Sequence, residues 1–148
     1  MRYEDAVRYL GAVSRSFEGH LNTSLKWDPF ALEQTAIADC SDFKYRFADQ
    51  MQALERSIGI TTDPDRKAFF MLRFAIGLRN SFGFCWMLTQ YYKGEYYWGQ
   101  VVEKRKWEYE ILAQNAFNRS AQMITSACAM MTNHELAAQT LLEYRNYK

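Results

Sequence analysis

Few residues in this 148-residue chain combine the types and spacing that chemistry needs. The first pair is Arg79-Asn80, set in the middle of the most apolar long run, residues 66–92. A guanidinium presents a planar fork of donors that matches phosphate oxygens, and a carboxamide can donate beside it. An arginine buried in such a run needs an opposite charge. Either an anionic ligand supplies it, or a carboxylate of the N-terminal half does, such as Asp39, Asp42, Asp49 or Glu55. A second group is Lys104, Arg105 and Lys106, with Trp107 and Tyr109 beside it for stacking on a nucleobase. Helical spacing sends those side chains to different faces, and Glu103, Glu108 and Glu110 alternate with them as on an ordinary solvated helix. The third group is Tyr91, Tyr92, Tyr96, Tyr97 and Trp98, which bracket Lys93-Gly94. Five such rings cannot all face one core, so they either cap the end of a bundle or mark a protein interface.

Other chemistries find no support in the spacing. His20 and His134 are the two histidines, and neither lies within a turn of a cysteine or of the other. A zinc site is not expected, and neither is a di-iron site, since no Glu-x-x-His pair occurs. There is no phosphate-cradling glycine motif and no G-x-S-x-G elbow. Cys40, Cys85 and Cys128 are odd in number and sit among apolar neighbours, which reads as reduced, buried thiols. No metal and no cofactor is expected.

The elements that must position these residues are helical. Seven glycines and two prolines suit long helices, and no strand pattern emerges. Tyr3, Ala6, Val7, Leu10, Val13, Phe17 and Leu21 recur at helical steps over 3–21. Asp28-Pro29 predicts a second helix start, with Leu32 and Ala36 inward. Phe43, Phe47, Met51, Leu54 and Ile58 form a clean stripe. Thr61-Thr62-Asp63-Pro64 repeats the Asp-Pro start and opens a central helix over 66–92. On that helix Gly77, Ser81 and Cys85 make a small-residue stripe that lets another helix come close. A long helix over 95–131 follows antiparallel, with Leu112, Ala116, Ser120, Met123 and Ala127 on its inner face and a kink expected at 115–120. Thr132-x-x-Glu135 has the form of a capping box for a last helix.

The stretch Gly77-Leu78-Arg79-Asn80-Ser81-Phe82-Gly83-Phe84 resembles the motif of HEPN domains, small all-helical proteins of prokaryotic defence and toxin systems. Their motif is Arg, often followed by Asn, then three residues and His. The resemblance implies metal-independent RNase activity at a dimer cleft in active members. Here Phe84 stands at the histidine position. A phenyl ring cannot exchange protons, so the resemblance implies a non-catalytic copy that binds RNA or a partner protein.

Length and composition frame the rest. The chain is expected to be one domain spanning 1–148, an all-α antiparallel bundle of about five helices around a buried central helix. Net charge is +1, but residues 1–65 carry seven Lys/Arg against eleven Asp/Glu, and residues 66–148 carry eleven against six. That asymmetry fits head-to-tail pairing of copies, or an anionic partner on the C-terminal half. Residues 68–88 are long enough to span a bilayer. Arg73, Arg79 and Asn80 within them oppose insertion, so no membrane span is expected. MRYEDAVRYL has acids where a signal peptide needs an apolar core, which points to the cytoplasm. Three functions remain in play: a non-catalytic HEPN-like binder; a structural interaction subunit, as in the small helical subunits of CRISPR effector complexes; and a working RNase. The first two imply a homo-oligomer or a subunit of a larger complex.

Overall fold

Alternating stretches of capped, periodic sequence become five helices in the computed structural model, which describes residues 2–13, 27–37, 42–83, 85 and 100–146. They are α1 (Tyr3–Gly11), α2 (Phe43–Ile60), α3 (Pro64–Phe82), α4 (Gln100–Met130) and α5 (His134–Asn146). The fold is all-α. Among the described residues the one extended pairing is an antiparallel bridge between Trp27 and Ala36.

The core helix is α3. Its start matches the sequence: Pro64 occupies the first turn, and the Asp63 carboxylate accepts the Arg66 N–H at 2.7 Å. Such a cap stabilises a helix by about 1 kcal/mol. Ala68, Phe74, Ala75, Gly77, Leu78, Asn80, Ser81 and Phe82 of α3 are all buried. No helix among the described residues is long and apolar enough to cross a membrane.

The helix is shorter than its apolar run. It ends at Phe82, where the Gly83 N–H turns back to the carbonyls of Arg79 and Asn80 and the Cys85 N–H follows to Asn80. Residues 86–99 lie outside the described ones.

The most extensive helix pairing joins α3 to α4. The two run antiparallel: Ala68 packs with Cys128 and Met131 at one end, and Phe82 with Ala113 and Ala116 at the other. The seam is built from small groups, with Ala68, Ala75, Ala127 and Ser120 all fully buried. Small side chains bring two backbones close enough for the Ser120 hydroxyl to donate to the Ala75 carbonyl at 2.8 Å. This seam corrects the expected inner face of α4. Ala116, Ser120 and Ala127 are inside as expected, but Leu112 is 54% exposed and Ala113 is buried instead. A leucine would hold the helices apart where an alanine lets them touch. Helix α4 runs without a break through 115–120, where a kink was expected.

On the other side of α3, Phe47, Met51 and Leu54 of α2 supply the core with Tyr3 of α1, whose ring meets Phe47 and Phe74 edge-on. Asp42 precedes α2 in the left-handed region, with φ 53°. Gly59 stands one residue inside the end of α2. Helix α1 ends at Gly11, and residues 14–26 lie outside the described ones.

The segment after Asp28-Pro29 is not a helix. The Asp28 carboxylate accepts the Phe30 N–H at 2.8 Å, and the Asp28 N–H donates to the Thr35 carbonyl at 2.7 Å. Aspartate is equally able to cap a helix or to hold a turn of its own, and here the turn prevails.

Candidate functional site

Arg79 and Asn80 are successive residues near the end of α3, about 100° apart around its axis. The structure gives them different partners. Asn80 is buried, and its amide nitrogen donates to the carbonyls of Pro29 at 3.0 Å and Ala31 at 2.9 Å. Both amide hydrogens are therefore taken by the 27–37 segment. Arg79 turns the other way and is half-buried, with its guanidinium 5.0 Å from the centre of the Tyr144 ring on α5. A cation over an aromatic face is worth about 0.5–2 kcal/mol, more as water is excluded. The pair is thus not one two-pronged ligand site.

Segment 27–37 is what fills the small stripe of α3. A methyl group at Gly77 would lie 2.6 Å from the Phe30 ring and 2.9 Å from the Met51 sulfur, so only glycine leaves room for both. Farther along, the Cys85 thiol faces the Trp27 carbonyl at 3.6 Å. Ser81, between them, donates to the Leu78 carbonyl. The stripe was expected to receive a second helix; instead a turn-rich loop of the same chain covers it. The reason is Asn80, which supplies donors to two carbonyls that have no helical partner.

Arg73 lies over the Phe30 ring at 5.6 Å. Glu55 pairs with Arg119 of α4 at 4.0 Å, and Arg119 also lies over Phe74. Asp49 is exposed. Asp39 lies outside the described residues.

Residues 104–106 fall within α4, well beyond the end of α3. With Ser120 opposite Ala75, a helical rise of 1.5 Å per residue puts Lys104 roughly 18 Å along the axis from Arg79. That separation lies within the span of one extended polyanion. Tyr91, Tyr92, Tyr96, Tyr97 and Trp98 lie outside the described residues, as do Phe84 and His20.

No proton-transfer group completes the site among the described residues near Arg79. The Cys85 thiol is pushed up to about 12 by burial and, secondarily, by the Asp28 charge. The Tyr3 hydroxyl is raised further by burial, with Arg119 partly offsetting the effect, and has no hydrogen-bond partner among the described residues. His134, the first residue of α5, is exposed. No cluster of potential metal ligands occurs among the described residues.

At the opposite end of α3 a contact appears that the spacing did not announce. Asp65 accepts both the N–H and the hydroxyl of Thr132, in the turn between α4 and α5. These bonds hold the Asp65 carboxyl below the usual carboxylate range. Thr132 is thereby occupied, and Asn133 caps α5 instead, accepting the Leu136 N–H at 3.0 Å. The sequence signal was there, since Asn is as good a cap as Thr; what it lacked was the long-range competitor for Thr132.

No family model matches the chain, and no curated protein or solved structure matches it.

Proposed function

We propose that this protein is a non-catalytic, HEPN-like helical protein of a prokaryotic defence system, which binds RNA through Arg79 with the basic residues at 104–106 as a second point of contact. The observation that carries the non-catalytic part is Asn80. Its two amide hydrogens hold the 27–37 segment, so it is a positioning residue that fixes the end of α3 and leaves Arg79 facing α5. No group that titrates near neutral pH stands with Arg79 among the described residues, and acid–base cleavage of RNA needs one. Binding needs only the fork of donors and its charge. The net excess of five positive charges in residues 66–148 supports a polyanionic partner. The cytoplasm is the compartment that suits such a partner and the buried thiols of Cys85 and Cys128.

The test is a gel shift with labelled single-stranded RNA at rising salt. The expected result is a shift that weakens with salt, and weakens further in Arg79→Ala and in Lys104→Ala. No shift at low salt overturns the reading.

A second reading is favoured by exposed apolar side chains: Leu136, Leu141 and Leu142 on α5, and Leu112 on α4. In it the protein is a structural interaction subunit of a larger complex or a homo-oligomer, with no site of its own. Copurification of a protein partner without nucleic-acid absorbance supports that alternative.

A further inference from the structure

Arg66 and Arg73 of α3 have no carboxylate partner among the described residues. Each lies instead by an aromatic ring: Arg66 is 6.0 Å from the centre of Phe70, and Arg73 is 5.6 Å from that of Phe30. The acids nearest to them in sequence are occupied. Asp63 accepts the Arg66 N–H at the helix start, and Asp65 holds Thr132. Arg73 is half-buried, and a cation drawn partly out of water favours an opposite charge beside it.

Between the two arginines stands Phe69, 54% exposed. Its ring meets that of Phe70 at 5.8 Å, and Phe70 packs against the core, so the exposed ring is braced from behind. Steps of three and four residues place 66, 69 and 73 on one face of the helix, and they span about 10 Å along its axis. A lone apolar side chain on a surface calls for no explanation. A braced aromatic ring with an unanswered cation one turn away on each side does.

We infer that Phe69 is a stacking platform for a base of single-stranded RNA, with Arg66 and Arg73 taking the phosphates on either side of that base. Every base has a π-face, so such a platform tolerates any sequence, and the positive charge follows the backbone. An apolar protein partner would cover the ring but leave both guanidiniums unanswered. In duplex RNA the bases are already stacked on one another, so the platform selects single strands. This inference rests on the RNA-binding reading above and adds to it a contact with the base. Arg79 lies six residues beyond Arg73, about 9 Å further along the axis, a separation within the span of one extended strand.

The test is fluorescence anisotropy with a short labelled single-stranded RNA, titrated at several salt concentrations. The parent is compared with Phe69→Ala, Phe69→Trp, Arg66→Ala, Arg73→Ala and Arg79→Ala, and denaturant midpoints check that each variant is folded. Phe69→Ala is expected to bind about 5- to 100-fold more weakly with an unchanged salt slope, and Phe69→Trp to bind at least as tightly as the parent. Arg66→Ala and Arg73→Ala should each lower the salt slope by about 0.7. Parent-like affinity in Phe69→Ala, together with a loss in Arg79→Ala, overturns the platform and leaves the RNA reading standing. No binding by the parent removes both. A duplex of the same length that competes as well as the single strand also overturns the platform. So does a smaller sedimentation coefficient of unliganded Phe69→Ala with RNA affinity unchanged, which would assign the ring to a protein contact.

Discussion

Ser120 of α4 donates its hydroxyl hydrogen to the backbone carbonyl of Ala75 of α3, 2.8 Å away and shielded from water. This bond ties the two central helices together across their seam. It also sets their register, from which the positions of Arg79 and residues 104–106 follow.

Ser120→Ala and Ser120→Val separate the two roles of that residue. The Ala75 carbonyl keeps its own helical hydrogen bond, so Ser120→Ala is expected to cost only about 0.5–1.5 kcal/mol. Ser120→Val forces a branched side chain into the seam and is expected to cost about 1–3 kcal/mol. Denaturant midpoints measure both. A valine variant as stable as the parent would mean that the seam is not tightly closed.

Asn80→Ala removes both donors that hold segment 27–37. The carbonyls of Pro29 and Ala31 lose their partner, and the loss is expected to be about 2–3 kcal/mol. Hydrogen exchange should show faster loss of protection at the Asp28 N–H, which bonds Thr35 within that segment. Unchanged stability and exchange would mean that Asn80 is free to bind a ligand after all.

Much of this architecture was legible from residue order. The Asp63-Pro64 start, the stripe Phe47–Met51–Leu54 and the antiparallel run of the long helix all depend on local chemistry and periodicity. The departures share one cause. Where a residue could serve either its neighbours in sequence or a distant segment, spacing alone did not say which. Asp28 holds a turn rather than a helix because Asn80, 49 to 51 residues away in sequence from its acceptors, takes the carbonyls of that turn. Thr132 serves Asp65, 67 positions away, rather than its own helix. Leu112 faces solvent because Ala113 takes the inner position, in the cluster that holds Leu78 and Phe82 of α3. The Arg-Asn pair was visible as residues, but its division between two different partners is a tertiary fact.

Acid should weaken the junction of α3 with α5. The folded carboxyl of Asp65 has its pKa lowered by the Thr132 hydroxyl and then by the Thr132 N–H. A group depressed in this way contributes stability that is fully present above its unfolded pKa and lost as pH falls through the folded one. The contribution therefore disappears on the acid side of the ordinary carboxylate range and is constant near neutrality. Thr132→Ala is expected to flatten the acid limb of the stability profile and accelerate α5 exchange at neutral pH. A variant whose acid limb matches that of the parent would contradict this assignment.

Cys85 and Cys128 should resist thiol reagents in the folded protein. Burial raises both thiols, and Cys85 is pushed up to about 12, so little reactive thiolate exists near neutral pH. Mass-mapped alkylation with iodoacetamide is expected to be slow at both sites in buffer and rapid in denaturant. Native labelling of Cys85 at the unfolded rate would show that the cover of Trp27 over it is not formed.

The central claim is that Arg79 and Asn80 have been parted, one to a ligand-facing role and one to an internal role, so that the protein binds without cutting. It is tested most directly by mixing excess protein with end-labelled RNA in EDTA, from acid to alkaline pH, and resolving the products on a denaturing gel. Intact RNA throughout, retained on a native gel by the parent and released by Arg79→Ala, is the outcome expected here. Fragments that appear with the parent and vanish with Arg79→Ala would show that the site does chemistry.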